Sequence, residues 1–137
     1  MNNMMDLLLA ADVNELKRPS VEKEIKRLSD LMGTPFILEL EALTADEFSD
    51  IQKSSIKMGK KAQVEDIDTD TVQVVSIIKA TKNIDFAEKS LRDKFNAHSS
   101  KMVVQKLFLP GEIAQVYNAI ADISGFGDEA VRDVKNA

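Results

Sequence analysis

The stretch LFLPGEIAQVYNAIADISGF, Leu107 to Phe126, carries start and stop signals of a helix. Pro110 and Gly111 end a short apolar run, and proline is favoured at the start of a following helix. Apolar residues then recur at helical spacing, at Ile113, Val116, Tyr117, Ile120 and Ile123. Gly125 stands where a left-handed C-cap residue is expected, and Phe126 can fold back on the last turn. The stretch therefore predicts a helix over about residues 112–124.

Upstream of this helix, two segments predict a small antiparallel β hairpin near the start of the chain. A two-residue period is present in two segments on either side of a loop with Gly33 and Pro35. In the first segment one side of the period comprises Val21, Lys23, Ile25 and Arg27, and in the second it comprises Phe36, Leu38, Leu40 and Ala42. Such a pair of segments is typical of a hairpin, here over about residues 21–43. The first segment also fits helical spacing, through Val21, Ile25 and Leu28.

The remaining segments predict helices, so we expect a mainly helical α+β fold in a single domain, residues 1–137. Thr44 with Glu47, and Asp85 with Glu88, have the spacing of capping boxes. Ser99 or Ser100 can cap the helix that follows them. The predicted helices span about residues 4–11, 45–58, 71–82, 85–96 and 100–108, with a polar linker over 60–70 and a final short helix over 128–136.

Composition narrows the functional classes. The 137 residues include 44% hydrophobic and 30% charged ones, as in ordinary globular chains, and no cysteine, which excludes disulfides and thiolate chemistry. The apolar run Met4–Ala11 is broken by Asp6 and lacks the basic start of a secretory signal. No run approaches the roughly 18 apolar residues of a membrane span. We therefore expect a soluble cytoplasmic protein without a membrane partner. The net charge of −5 disfavours binding to nucleic acid, because an acidic surface repels the phosphate backbone.

Two short motifs resemble ligand-binding loops but are incomplete. Asp66, Asp68 and Asp70 alternate as at the start of a calcium loop, yet Thr71 and Ile77 occupy the places of its glycine and its bidentate glutamate. The segment KMGKK, residues 57–61, lacks the second glycine and the hydroxyl of a phosphate-binding loop. We interpret it as a helix C-terminus whose lysines complement the helix dipole.

No catalytic constellation is present in the sequence. His98 is the only histidine, and its chain neighbours Ser99 and Ser100 do not supply an oriented base and nucleophile. We interpret a dense group of carboxylates as the solvated face of a strand and the first turn of a helix. No pair of them is isolated among apolar residues, so nothing predicts the raised pKa of a catalytic carboxylic acid. This group comprises Glu39, Glu41, Asp46, Glu47 and Asp50. We therefore predict no catalytic residue, cofactor or metal.

A basic segment, Lys89–Lys106, leaves one nucleic-acid alternative open. Two helices joined around residues 96–100 resemble a helix-turn-helix, which needs basic and amide side chains on the exposed face of its second helix. That second helix offers Lys101, Gln105 and Lys106 and then becomes apolar. A DNA-binding regulator is therefore a disfavoured alternative.

Taken in order, several motifs resemble the small tail assembly chaperones of tailed phages and prophages, of the type found in Gram-positive hosts with contractile tails. These motifs are LFLPGEI at 107–113, ISGF at 123–126, VKN at 134–136, DLLLAADV at 6–13, IKRLSDLMGTPFILELEALTADEF at 25–48 and LRDKF at 91–95. Nearly the whole chain is covered, while residues 57–84 match loosely.

This resemblance implies a non-enzymatic protein without cofactors that binds the tape-measure protein, keeps it soluble and helps recruit tail-tube subunits. It further implies a location in the host cytoplasm and absence from the mature virion. A longer frameshifted form of the chain is a further expected partner, and self-association is left open. A small structural tail-completion protein, which would stay in the virion, is the alternative from a different class.

The partner-binding surface is predicted at the two exposed ends of the chain. Methionines provide adaptable contacts at permissive binding surfaces, although they also fill aromatic-poor cores. The apolar side of the N-terminal helix is expected to pack on the body of the protein, yet it is also a candidate for partner contact. The candidate residues are Met5, Leu8, Leu9, Leu107, Phe108, Tyr117 and Phe126.

Overall fold

The computed structural model describes residues 3–13, 16–54, 56–58, 64–67 and 69–134 of the chain, with backbone alone for 56–58, 64–67 and 69. The described elements are α1 (Met4–Ala10), β1 (Ser20–Glu24), α2 (Lys26–Met32), β2 (Ile37–Glu41), α3 (Ala45–Ser54), β3 (Ile56–Met58), β4 (Val64–Ile67), α4 (Thr69–Ala80), α5 (Lys89–Lys94), α6 (Ser100–Leu107), α7 (Pro110–Ala121) and a π-helical turn (Asp122–Phe126). The predicted mainly helical α+β fold, with an antiparallel pair of strands near the N-terminus, is confirmed.

The strands β1 and β2 pair antiparallel, but the predicted hairpin is wrong in its connection. The first strand ends at Glu24, and α2 replaces the loop. Ile25 and Leu28 are both buried, so the helical spacing in this segment, and not its alternation, governs the structure beyond Glu24. The helix ends at Gly33, which adopts a left-handed conformation with φ of 70°.

The region after β2 combines one confirmed prediction with a missed sheet. Thr44 and Glu47 form the predicted capping box, since each side chain accepts a hydrogen bond from the other residue's backbone N–H, at 3.1 and 3.0 Å. However, α3 ends at Ser54 instead of residue 58, and β3 and β4 form an antiparallel pair within the predicted helix end and linker. The local sequence contains β-branched residues that suit such strands. Residues 60–63 and 68 of the predicted linker lie outside the described residues.

In the second half, α5 and α6 are shorter than predicted, whereas α4 has the predicted length but spans Thr69–Ala80 instead of 71–82. Asp85 does not open α5, because its side chain accepts from the N–H of Ala87 at 3.0 Å in a local turn, and the helix begins only at Lys89. Ser99 caps α6 as predicted, accepting from the N–H of Met102 at 3.2 Å. Residues 128–134 form no helix, so the predicted final helix is wrong there, and residues 135–136 lie outside the described chain.

The core lies around α4, which contacts β2, α3, α6 and α7. A helix surrounded by other elements is apolar on most sides, which explains why α4 is rich in the β-branched residues Val72, Val74, Val75, Ile77 and Ile78. The fully buried large side chains belong to several elements: Leu38, Leu40, Ile51, Ile77, Phe86, Val103, Val104 and Ile120. The predicted stripe of α7 is confirmed, with Val116 and Ile120 buried and Ile113, Tyr117 and Ile123 packed against the core.

Candidate partner-binding surface

The helix α1 exposes its apolar side chains to solvent. Asn3 caps it by accepting a hydrogen bond from the N–H of Asp6 at 2.8 Å, and none of its seven residues is buried. Its large apolar side chains are 49–76% exposed: Met4, Met5, Leu7, Leu8 and Leu9. The expectation that Met5, Leu8 and Leu9 pack on the body is therefore wrong. Their role in partner contact stays a prediction.

Further exposed apolar side chains lie outside the sequence prediction. Leu31 and Met32, in the last turn of α2, are 73% and 59% exposed. Leu31 follows the buried Leu28 by three residues, a spacing that predicts a shared buried side. No signal in the sequence separates the two leucines, because the difference depends on which elements surround the end of α2.

The motif LFLPGEI forms a charged junction between α2 and the α6–α7 turn. Arg27 donates from Nε and Nη2 to the two carboxylate oxygens of Glu112, each at 2.9 Å, and from Nη2 to the carbonyl of Leu107 at 2.8 Å. The same carboxylate accepts from the N–H of Leu109 at 2.8 Å, where α7 begins. Arg27 is the main cause that lowers the pKa of Glu112, with the N–H of Leu109 adding to it. The motif thus positions helices.

The motif ISGF ends α7 and fastens it to the start of α3. Ser124 Oγ accepts from the N–H of Leu43 at 2.9 Å, and Gly125 adopts the predicted left-handed conformation with φ of 97°. The Phe126 ring lies 5.2 Å from that of Phe48, between centroids, although Phe126 remains 62% exposed. The helix start and stop signals of residues 107–126 are therefore explained largely by the contacts that these residues make within the fold.

The candidate partner-binding residues divide by burial. Phe108 is a core residue, 4% exposed, and its ring lies 6.2 Å from the rings of both Phe36 and Phe86. Its proposal as a contact residue conflicts with this placement, because a buried ring offers no surface. Leu107 and Tyr117 are partly buried against the core. The exposed candidates are Met5, Leu8, Leu9 and Phe126.

The basic segment Lys89–Lys106 uses several of its cations within the fold. Lys89 pairs with Asp93 at 3.2 Å, and Lys101 donates to Thr71 Oγ1 at 2.9 Å. Lys106 donates to the carbonyls of Phe95 and Asn96, at 2.9 and 3.0 Å, beyond the end of α5. The ion pair offsets the charge of Lys89, and the hydrogen bonds direct Lys101 and Lys106 toward groups of the protein itself, which counts against the DNA-binding alternative.

The described part of the chain contains no cluster of side chains suited to bind a metal ion. It contains no group of three or more histidine, aspartate or glutamate side chains that could hold a metal ion. Asp66 lies in β4 and Asp70 in α4, while Asp68 is outside the described residues. Lys57 lies in β3, so the interpretation of residues 57–61 as a helix C-terminus is wrong for that residue. Within the described residues, no helix has the length and apolar character needed to cross a membrane.

Comparison with known proteins identifies the family. The model for phage XkdN-like tail assembly chaperone proteins matches residues 5–137. The chain belongs to this family. The crystal structure of the protein yqbn, a structural genomics target, is similar over 79% of this chain and 87% of that chain, with a TM-score of 0.58 and 22% identity, which supports the fold alone. A search of curated proteins found no match.

Membership of the tail assembly chaperone family confirms the predicted resemblance and sets the class of function. Members of the family are generally non-catalytic. A chaperone of tail assembly interacts with other tail proteins, and the exposed apolar side chains of α1 form a candidate surface for such contact.

Proposed function

We propose that this tail assembly chaperone binds the tape-measure protein through α1, keeps it soluble and helps recruit tail-tube subunits. The observation that carries the proposal is the exposure of the five large apolar side chains of α1, in a member of this family. Contiguous exposed apolar side chains are typical of sites that bind other proteins. In this proposed role the protein acts in the host cytoplasm without catalysing a reaction, and it is absent from the finished virion.

The chemistry of α1 suits a long helical partner. Its side chains are aliphatic or methionine, with Asp6 as its one charged residue, so it can pack on apolar helical faces of varying sequence. From their exposed fractions, burial of Leu8 and Leu9 would contribute about 2–4 kcal/mol together, at about 1.5–3 kcal/mol for a fully buried leucine. Losing that contribution weakens binding roughly 30- to 1,000-fold.

The test is co-expression of this chain with the tape-measure protein, followed by capture through a tag on this chain. Wild-type protein is expected to keep the tape-measure protein soluble and to co-purify with it. The double variant Leu8→Ser with Leu9→Ser is expected to lose capture while keeping its thermal midpoint, because neither side chain is buried.

The matched control is Leu31→Ser, which alters an equally exposed leucine outside α1 and is expected to keep capture. Equal loss in the control and the double variant would refute the assignment to α1. An insoluble, uncaptured tape-measure protein with every variant would refute binding by this form of the chain. Mass spectrometry of purified particles then tests the alternative: a tail-completion protein stays in the virion and a chaperone does not.

A further inference from the structure

The sheet of β1 and β2 has one closed edge. Asn83 donates from Nδ2 to the carbonyl of Ile37 at 2.8 Å and accepts at Oδ1 from the N–H of Glu39 at 3.1 Å. The N–H of Lys82 donates to the carbonyl of Glu39 at 2.8 Å, and Thr81 bridges to Leu40. Asn83 and its neighbours therefore occupy the outer edge of β2 as a further strand would.

The opposite edge, formed by β1, is open. Backbone groups in a strand point alternately to the two sides, and Glu39, whose groups face Asn83, lies opposite Glu22. The N–H and C=O groups of Ser20, Glu22 and Glu24 consequently face away from β2. Among the described residues, no other element forms a hydrogen bond to these outward groups. Such an edge is a template for an added strand.

The face of the sheet beside this open edge is acidic. Ser20, Glu22 and Glu24 share it with their cross-strand partners Glu41, Glu39 and Ile37. Glu41 pairs with Arg18 and, at 3.9 Å, with Lys82, whereas Glu22, Glu24 and Glu39 form no ion pair within the described part of the chain. Glu22 lies directly opposite Glu39, an unfavourable arrangement of like charges.

These charges disfavour a second copy as the added strand. In an antiparallel pairing of β1 with itself centred on Glu22, that carboxylate would face its own copy, next to Glu24 of both chains. Charged residues on edge strands are a common protection against such self-pairing. The same carboxylates favour a strand whose side chains on this face are cationic.

We propose that β1 binds an extended segment of another protein, added as a third strand, with lysine or arginine at every second position. Alternate side chains of an added strand lie on the acidic face, so a period-two pattern of cations meets Glu22, Glu24 and Glu39. This surface differs from α1, so the inference does not depend on the tape-measure proposal.

The test uses the full chain and a seven-residue peptide with blocked ends, TKVKVKT, followed by residue-resolved amide hydrogen exchange. Binding with Kd below about 1 mM is expected at low salt, weakening as salt rises. Exchange at the amides of Glu22 and Glu24 is expected to slow at least tenfold, because these N–H groups gain partners. The amides of Val21 and Lys23, which face β2, are expected to change less.

Two controls separate strand addition from simple charge attraction. A peptide of the same sequence, N-methylated at the amides that would pair with β1, keeps its charge and is expected to lose binding. The variant Glu22→Lys is expected to weaken binding at least tenfold, whereas Glu129→Lys, an equal charge change at an exposed C-terminal position, is expected to leave it within twofold.

Several outcomes would overturn the inference. Absence of peptide binding, unchanged exchange at Glu22 and Glu24, or equal binding of the N-methylated peptide would each do so. If Glu22→Lys and Glu129→Lys weakened binding equally, net charge alone would explain the interaction, and the inference would be overturned as well. Protection of these amides in the free protein that rises with protein concentration would assign the edge to a second copy instead.

Discussion

Replacing Ser124 with alanine tests whether the ISGF motif acts through the fold. Ser124 Oγ accepts from the N–H of Leu43 at 2.9 Å, and Leu43 is only 9% exposed. The alanine variant leaves this part-buried amide without its acceptor, which costs about 1–3 kcal/mol. For a chain of this length, each kcal/mol lowers the thermal midpoint by about 3–5 °C.

The assay for Ser124→Ala is urea denaturation followed by circular dichroism, with a thermal scan alongside. The matched control is Ser90→Ala, because Ser90 is exposed and its hydroxyl donates to the side chain of Glu88. We expect the control to lie within about 0.5 kcal/mol of wild type. An equally small loss for Ser124→Ala would refute the structural account of the motif.

Three further predictions concern the core, the sheet and acid stability. Ile77→Ala, at a fully buried position of α4, is expected to cost about 2–5 kcal/mol in urea denaturation; a loss below 1 kcal/mol, roughly, would contradict the central place of α4. Glu22→Thr is expected to raise the free energy of unfolding by about 0.2–1 kcal/mol by removing the repulsion with Glu39; destabilisation would contradict this. The lowered pKa of Glu112 stabilises the fold above the unfolded-state pKa, and this contribution disappears as pH falls through the lower folded-state pKa. Glu112→Gln is therefore expected to flatten the acid side of a stability–pH profile, and an unchanged slope would count against the Arg27 contact.

Local signals in the sequence predict the ends of several helices. The Thr44–Glu47 box, the Ser99 cap and the left-handed Gly125 depend on residues within a few positions of one another, so their spacing alone identifies them. Asp85 shows the limit of such signals: an aspartate also stabilises a local turn, and here the turn forms instead of the helix start.

Contacts between distant residues account for what the sequence does not predict. Arg27 and Glu112 are 85 positions apart, and Asn83 meets β2 across more than 40. The choice of α2 over a hairpin loop depends on burial of Leu28 in a core built mainly from later helices. The same reason explains the candidate surface: aliphatic residues look alike in sequence, whereas burial separates Phe108 from Leu8.

Because the side chain of Asn83 hydrogen-bonds to the outer edge of β2, the sheet of β1 and β2 has one unpaired edge, that of β1. A sheet with two open edges can be joined on both sides and can propagate from chain to chain, as in fibres. Because Asn83 occupies the outer edge of β2, this sheet can accept a strand beside β1 but not beside β2. Copies of this chain therefore cannot join on both sides of this sheet, and the sheet cannot extend from copy to copy as it does in a fibre.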